Sequence, residues 1–210
     1  MCGICGIVIN NNLGNNLEGE IKNMMATINH RGPDSNGYWL GPNIALGHTR
    51  LSIIDLSRSG HQPMIREDRY IITYNGELYN YREIRKELTD RYNIKFSSNS
   101  DTEVLLYAYI TWKEKCFRKL NGIFAFAIYD TKERNLILLR DRMGVKPLYY
   151  YCKNNVLVFG SEIKAILKSK HTESKLNNNS LHEIVWFGGG SIGDKTIYRN
   201  INKLEPGTVL

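Results

Sequence analysis

The chain has 210 residues, 42% hydrophobic, 23% charged and 10% aromatic, with 18 glycines against 5 prolines. A chain of this kind buries a core without staples, which excludes a disordered tail, a collagen-like repeat and a disulfide-framed mini-protein. The formal charge is +7, but +6 of it falls in residues 131–175, a segment without zinc-finger, helix-turn-helix or RNP spacing, so nucleic acid is not an expected partner.

No apolar run reaches the length of a membrane span, and the first basic residue is Lys22, too late for a secretory signal. Four cysteines without an export context predict reduced thiols, hence a cytoplasmic domain with no membrane partner. In chain order, Gly3 to Ile9 reads as a strand. Leu17, Ile21, Met24, Met25 and Ile28 then mark one face of an amphipathic helix. Residues 31–37 are a dense turn cluster, followed by strand-like runs at 44–55 and 69–75. Tyr81, Ile84, Arg85 and Leu88 predict a second helix. Asp101 reads as the N-cap of a third, lined by Val104, Leu105, Ala108 and Trp112.

Residues 123–130 are apolar in both alternating sets, as expected of a strand covered on both faces. Strand signals at 136–140, 147–151 and 156–159, separated by short turns, predict antiparallel hairpins. Helices are expected at 162–168 and 180–187. The pattern is α+β, one domain over residues 1–210, with sheets inside and helices outside.

The thiol at position 2 is the feature with chemical content. If the initiator methionine is removed, Cys2 carries a free α-amine beside its thiol, so one residue supplies nucleophile and base. Cys2-Gly3-Ile4-Cys5 also has the spacing of a redox pair or half a zinc site, but it precedes its strand and no second such pair follows. The five histidines are scattered, and no metal site is expected. His48, inside a strand run, is the alternative base for a Cys–His pair.

Six motifs stand in order: Met1-Cys2-Gly3-Ile4-Cys5-Gly6; His30-Arg31-Gly32-Pro33-Asp34; Gly47 to Asp55; Asn75-Gly76-Glu77-Leu78-Tyr79-Asn80; Ser100-Asp101-Thr102-Glu103; and Arg140 to Tyr149. The set resembles the glutamine-hydrolysing domain of the class II glutamine amidotransferases, and among them the asparagine synthetases. The Pro33-Asp34 pair and the 140–149 block favour that branch over the sugar-phosphate and phosphoribosyl-pyrophosphate relatives.

The resemblance implies a four-layer αββα sandwich of the N-terminal-nucleophile hydrolases. It also implies that Cys2 attacks the side-chain amide of L-glutamine, with an oxyanion hole of Asn75 and the Gly76 N–H. Arg50 corresponds to the clamp on the substrate α-carboxylate, and Glu77 and Asp101 to the acids that receive its ammonium. The backbone of Leu51, Ser52, Ile53 and Ile54 lines the same pocket in the family. The His-Arg-Gly-Pro-Asp turn is read as structural, with Arg31 and Asp34 as a pair.

The family's synthetase domain, with its pyrophosphate loop, is expected to be missing from a chain that stops at Leu210. ATP and magnesium are therefore expected only for that domain, and no cofactor for this one. Expected partners are L-glutamine and the C-terminal synthetase domain, with a homodimer among the allowed assemblies. The ammonia would amidate aspartate. The nearest rival is another acceptor, such as a sugar in surface-polysaccharide assembly, and the rival of another class is a non-catalytic basic binding module.

Overall fold

The computed structural model describes residues 1–9, 16–52, 57–188 and 193–210. The apolar opening segment Gly3–Ile9 (β1) is covered on both faces and sits inside a sheet rather than at its edge. Leu17–Thr27 (α1) follows, capped by the Asn16 side chain, which accepts from the Gly19 N–H. Ser35–Gly41 (β2) and Ile44–Arg50 (β3) form a hairpin, and β3 also pairs with β1.

Met64–Arg66 (β4) and Tyr70–Leu78 (β5) come next, then the helices Tyr81–Tyr92 (α2) and Asp101–Trp112 (α3). Gly122–Asp130 (β6) and Asn135–Arg140 (β7) form one hairpin. Tyr149–Lys153 (β8) and Val156–Gly160 (β9) form another, turned by Asn154 and Asn155 at φ 52° and 60°, the signature of a type I′ turn. Ile163–Leu167 (α4), Asn178–Phe187 (α5) and Ile201–Lys203 (β10) complete the described elements.

Two antiparallel sheets result, in the orders β10-β8-β9-β1-β3-β2 and β4-β5-β6-β7. Three apolar layers hold them. Between the sheets lie Ile4, Leu46, Ile71, Ala125, Ala127 and Phe159. Under α2 and α3 lie Phe124, Phe126, Ile128, Leu88, Val104 and Leu105. Against α1 and α4 lie Ile7, Ile21, Met24, Val158 and Ile166. The order is helix, sheet, sheet, helix: the αββα sandwich. The two alternating sets of β6 separate between layers, Phe124, Phe126 and Ile128 toward the helices, Ala125 and Ala127 toward the other sheet.

Four readings of the sequence are corrected. Strands β2, β4 and β10 were not anticipated, since the first begins inside the 31–37 turn cluster and the other two have three residues each. The cap of α3 is Ser100, whose hydroxyl accepts from the Thr102 N–H at 3.1 Å, and Asp101 is the first helical residue. β7 and β8 are not a hairpin, because the chain crosses from one sheet to the other between them. β3 ends at Arg50, and residues 53–56 of the expected 44–55 run lie outside the described residues.

Candidate active site

The antiparallel register that pairs Gly3 with Thr49 brings Cys2 beside the end of β3. The Cys2 Sγ lies 3.4 Å from the Leu51 backbone nitrogen, which donates to it, and 3.5 Å from the Leu51 carbonyl. A cavity of about 110 Å³ opens at this point. Its wall takes Cys2 from the start of β1, Arg50, Leu51 and Ser52 from the end of β3, Asn75, Gly76 and Glu77 from β5, and Asp101 from the first turn of α3. Every site residue named from the sequence is thus brought together except Ile53 and Ile54, which lie outside the described residues.

The end of β5 places two donors at the cavity. β4 pairs only with residues 70–72, so beyond them β5 has an open side. On that side the Tyr74 N–H donates to Gln62 Oε1 at 2.6 Å and the Leu78 N–H to Asp101 Oδ2 at 3.0 Å. Backbone groups alternate along a strand, so the Gly76 N–H between them points the same way, into the cavity. Next to it, the Asn75 side-chain nitrogen is buried and has no hydrogen-bond partner among the described residues. Leaving a buried donor unpaired costs about 1–3 kcal/mol. The pair has the composition of an oxyanion hole awaiting its acceptor.

Arg50 is buried, and its Nη1 donates to the Ser57 carbonyl at 2.9 Å. Gly32 packs so tightly behind it that a Cβ there would lie 2.3–2.4 Å from backbone atoms of Thr49 and Arg50. Asp101 Oδ2 accepts from the Tyr74 hydroxyl at 2.9 Å as well as from Leu78, and burial raises its carboxyl above the usual range despite those bonds. Burial also pushes the Cys2 thiol up, opposed by the Leu51 hydrogen bond, the amino terminus and Arg50.

Arg31 does not pair with Asp34. Its Nε donates to the Cys2 carbonyl at 2.9 Å and its Nη1 to Glu162 at 3.0 Å, while Asp34 accepts from the Ser52 N–H. Burial would raise the Glu162 carboxyl, but hydrogen bonds from Lys164, Arg31 and His30 outweigh it and hold it down to about 2. The Cys2 backbone is therefore held by Arg31, a residue the sequence places in a structural turn.

His48 is no rival base. It is fully buried, its Nε2 lies 3.1 Å from the Tyr74 carbonyl, and it is not part of the cavity wall. Burial pushes its pKa down to about 3, so the ring is neutral and Nε2–H is the donor to that carbonyl. Cys5 is no partner for Cys2 either. It is buried, and three residues of extended chain separate the two by about 10 Å, beyond disulfide reach. The wall also holds residues that the sequence does not single out as site residues, among them Gln62, Tyr74, Thr102 and Lys146. Thr102 and Lys146 fall inside motifs already noted. No helix among the described residues is long and apolar enough to cross a membrane.

A family model for the glutamine amidotransferase domain matches residues 1–210. The chain is 40% identical over 213 residues to asparagine synthetase (glutamine-hydrolysing) 3 of Bacillus subtilis strain 168, covering 100% of this chain and 34% of that protein. It is 39% identical to a putative asparagine synthetase (glutamine-hydrolysing) 2 of Methanocaldococcus jannaschii, covering 98% of this chain and 42% of that protein. The chain thus spans well under half the length of these relatives. The fold is similar to that of glutamine phosphoribosylpyrophosphate amidotransferase from B. subtilis, with a TM-score of 0.66 at 20% identity over 79% of this chain and 43% of that one.

Proposed function

The chain belongs to the glutamine amidotransferase domain family, and on that premise we propose that it hydrolyses L-glutamine to glutamate and ammonia through a thioester on Cys2. The observation that carries this reading is the pair of donors on the wall of the cavity that holds the Cys2 thiol: Asn75 Nδ2, buried without a partner among the described residues, and the adjacent Gly76 N–H. With Met1 removed, the free α-amine takes the thiol proton and the sulfur attacks the amide carbon. The oxygen that becomes negative is received by the two donors. Collapse expels ammonia, which takes its proton from the α-ammonium, and water then cleaves the thioester to glutamate. Arg50 holds the α-carboxylate, and Glu77 and Asp101 receive the α-ammonium.

In the longer relatives a further part of the protein would use the ammonia. We read this chain as the glutaminase half of a glutamine-hydrolysing asparagine synthetase, with aspartate as acceptor and ATP and magnesium bound outside these residues. The test is a chain blocked before Cys2. An uncleavable tag ahead of Cys2 should abolish glutamate formation, whereas the same tag after Leu210 should not. Full turnover with the amine blocked would overturn the mechanism, and a Met1-free sample that releases no glutamate would leave the non-catalytic reading standing.

A further inference from the structure

One charged group on the cavity wall has no role in this scheme. Lys146 is only 8% exposed, and among the described residues no hydrogen bond or ion pair reaches its ammonium. Its stem is buried while the ammonium reaches the open cavity, so a cation without a protein partner stands where an anionic group of a ligand can meet it.

Its backbone is fixed with care. Asp141 Oδ2 accepts from the N–H groups of Phe124 and Lys146, and Oδ1 from those of Met143 and Val145. Arg140 donates to the carbonyls of Gly144, Lys146 and Leu204. Asn75, Ala125 and Arg140 stand in one cross-strand row on the same face, so this anchored loop lies at the Asn75 end of the cavity. The small Ala125 is all that separates the Asn75 and Arg140 positions in that row.

Charge accounting then selects the partner. Besides the amino terminus, the wall offers two cationic side chains, Arg50 and Lys146, and two carboxylates, Glu77 and Asp101. Bound glutamine brings one carboxylate and one ammonium, which Arg50 and the two acids satisfy. Lys146 is left facing the neutral amide end, where negative charge appears only during the reaction. Building on the glutaminase reading above, we propose that Lys146 is a catalytic residue that contacts the γ-end of the substrate. There it stabilises the oxyanion alongside Asn75 and Gly76 and then holds the γ-carboxylate of the glutamate product. No proton is transferred in this role.

The test compares the wild type with Lys146→Met and Lys146→Gln after Met1 removal. Both variants should lower kcat and kcat/KM together by about 10–100-fold, the signature of a contact made only in the transition state. In a Cys2→Ala background, glutamine affinity should be unchanged by Lys146→Met while glutamate affinity falls at least 10-fold. Without any change at Lys146, that same background should bind glutamate at least as tightly as glutamine, which keeps the proposal testable should the Lys146 variants misfold. Unchanged kcat, a rise in KM alone, or equal loss of glutamine and glutamate affinity would overturn the assignment and place Lys146 with Arg50 or nowhere in the chemistry. Weaker binding of glutamate than of glutamine to the Cys2→Ala chain would overturn it too. A wild type that releases no glutamate would instead overturn the proposed function and this inference with it.

Discussion

Arg50 illustrates how a single side chain is tuned before any ligand arrives. Its guanidinium is buried at the end of β3 and oriented by the Ser57 carbonyl, so its planar fork is fixed rather than searching rotamers. Lysine keeps the charge but loses the two-point contact with carboxylate. For Arg50→Lys we expect glutamine binding to weaken by about 1–3 kcal/mol, seen as a rise in KM with kcat changed far less. A variant that keeps KM and loses kcat would show that Arg50 does not clamp the α-carboxylate. At this scale the site was largely legible, because Cys2, Arg50, Asn75, Gly76, Glu77 and Asp101 sit in short contiguous motifs. Arg31 was not: its partner Glu162 is 131 residues away, and nothing local in His-Arg-Gly-Pro-Asp signals a bond to the Cys2 carbonyl.

Elements differ in how much pattern they need. β6 must be apolar on both faces because it is covered twice, and its alternation reveals both layers. β2, β4 and β10 are edge strands that join their sheets through backbone bonds on one side, so short, half-polar segments suffice and leave no periodic trace. The position of α3 shows what sets a helix at the site. Glu103, fully buried in its first turn, accepts from the N–H and hydroxyl groups of Ser97 and Ser98 and from Nε and Nη2 of Arg66 in β4. Burial opposes the charge, but the Ser98, Ser97 and Arg66 bonds outweigh it and hold the carboxyl below its usual range. Removing it takes the acceptor from a partly buried guanidinium and from the N–H groups of two serines. Glu103→Ala should cost about 3–5 kcal/mol in urea unfolding, the scale of breaking a buried pair. It should also raise KM, since α3 carries Asp101 into the cavity. A loss below 1 kcal/mol would mean that the network is solvated in solution.

For the molecule as a whole, the layer between the two sheets joins the halves of the sandwich, and a buried imidazole stands beside it on β3. His48 is fully buried against β5, donating to the Tyr74 carbonyl, and burial pushes its pKa down to about 3 against an ordinary value of 6.5. The unfolded chain therefore binds a proton that the folded chain refuses between those two values. The stability due to neutral His48 is complete above about pH 6.5 and declines as pH falls toward 3, with a slope of about 1.4 kcal/mol per pH unit. Glu162, whose folded pKa of about 2 lies below its ordinary 4.5, adds a second loss that begins only under pH 4.5. Between pH 6.5 and 4.5 His61, whose pKa burial also lowers, adds a loss of the same sign, so the comparison with a His48 variant is what isolates the His48 share. Urea unfolding across that window should give a steeper pH dependence for the wild type than for His48→Gln, by about one proton per molecule. Glutamine retains a donor for the Tyr74 carbonyl but cannot titrate. The Tyr74 carbonyl immediately precedes Asn75, so protonation of His48 would disturb the strand that carries Asn75 and Gly76, the proposed oxyanion donors. Acid inactivation should therefore follow the unfolding curve in the wild type and shift to lower pH in the variant. Parallel pH slopes for the two proteins would mean that His48 reaches solvent in the folded state and that the two sheets are less tightly closed than this layer requires.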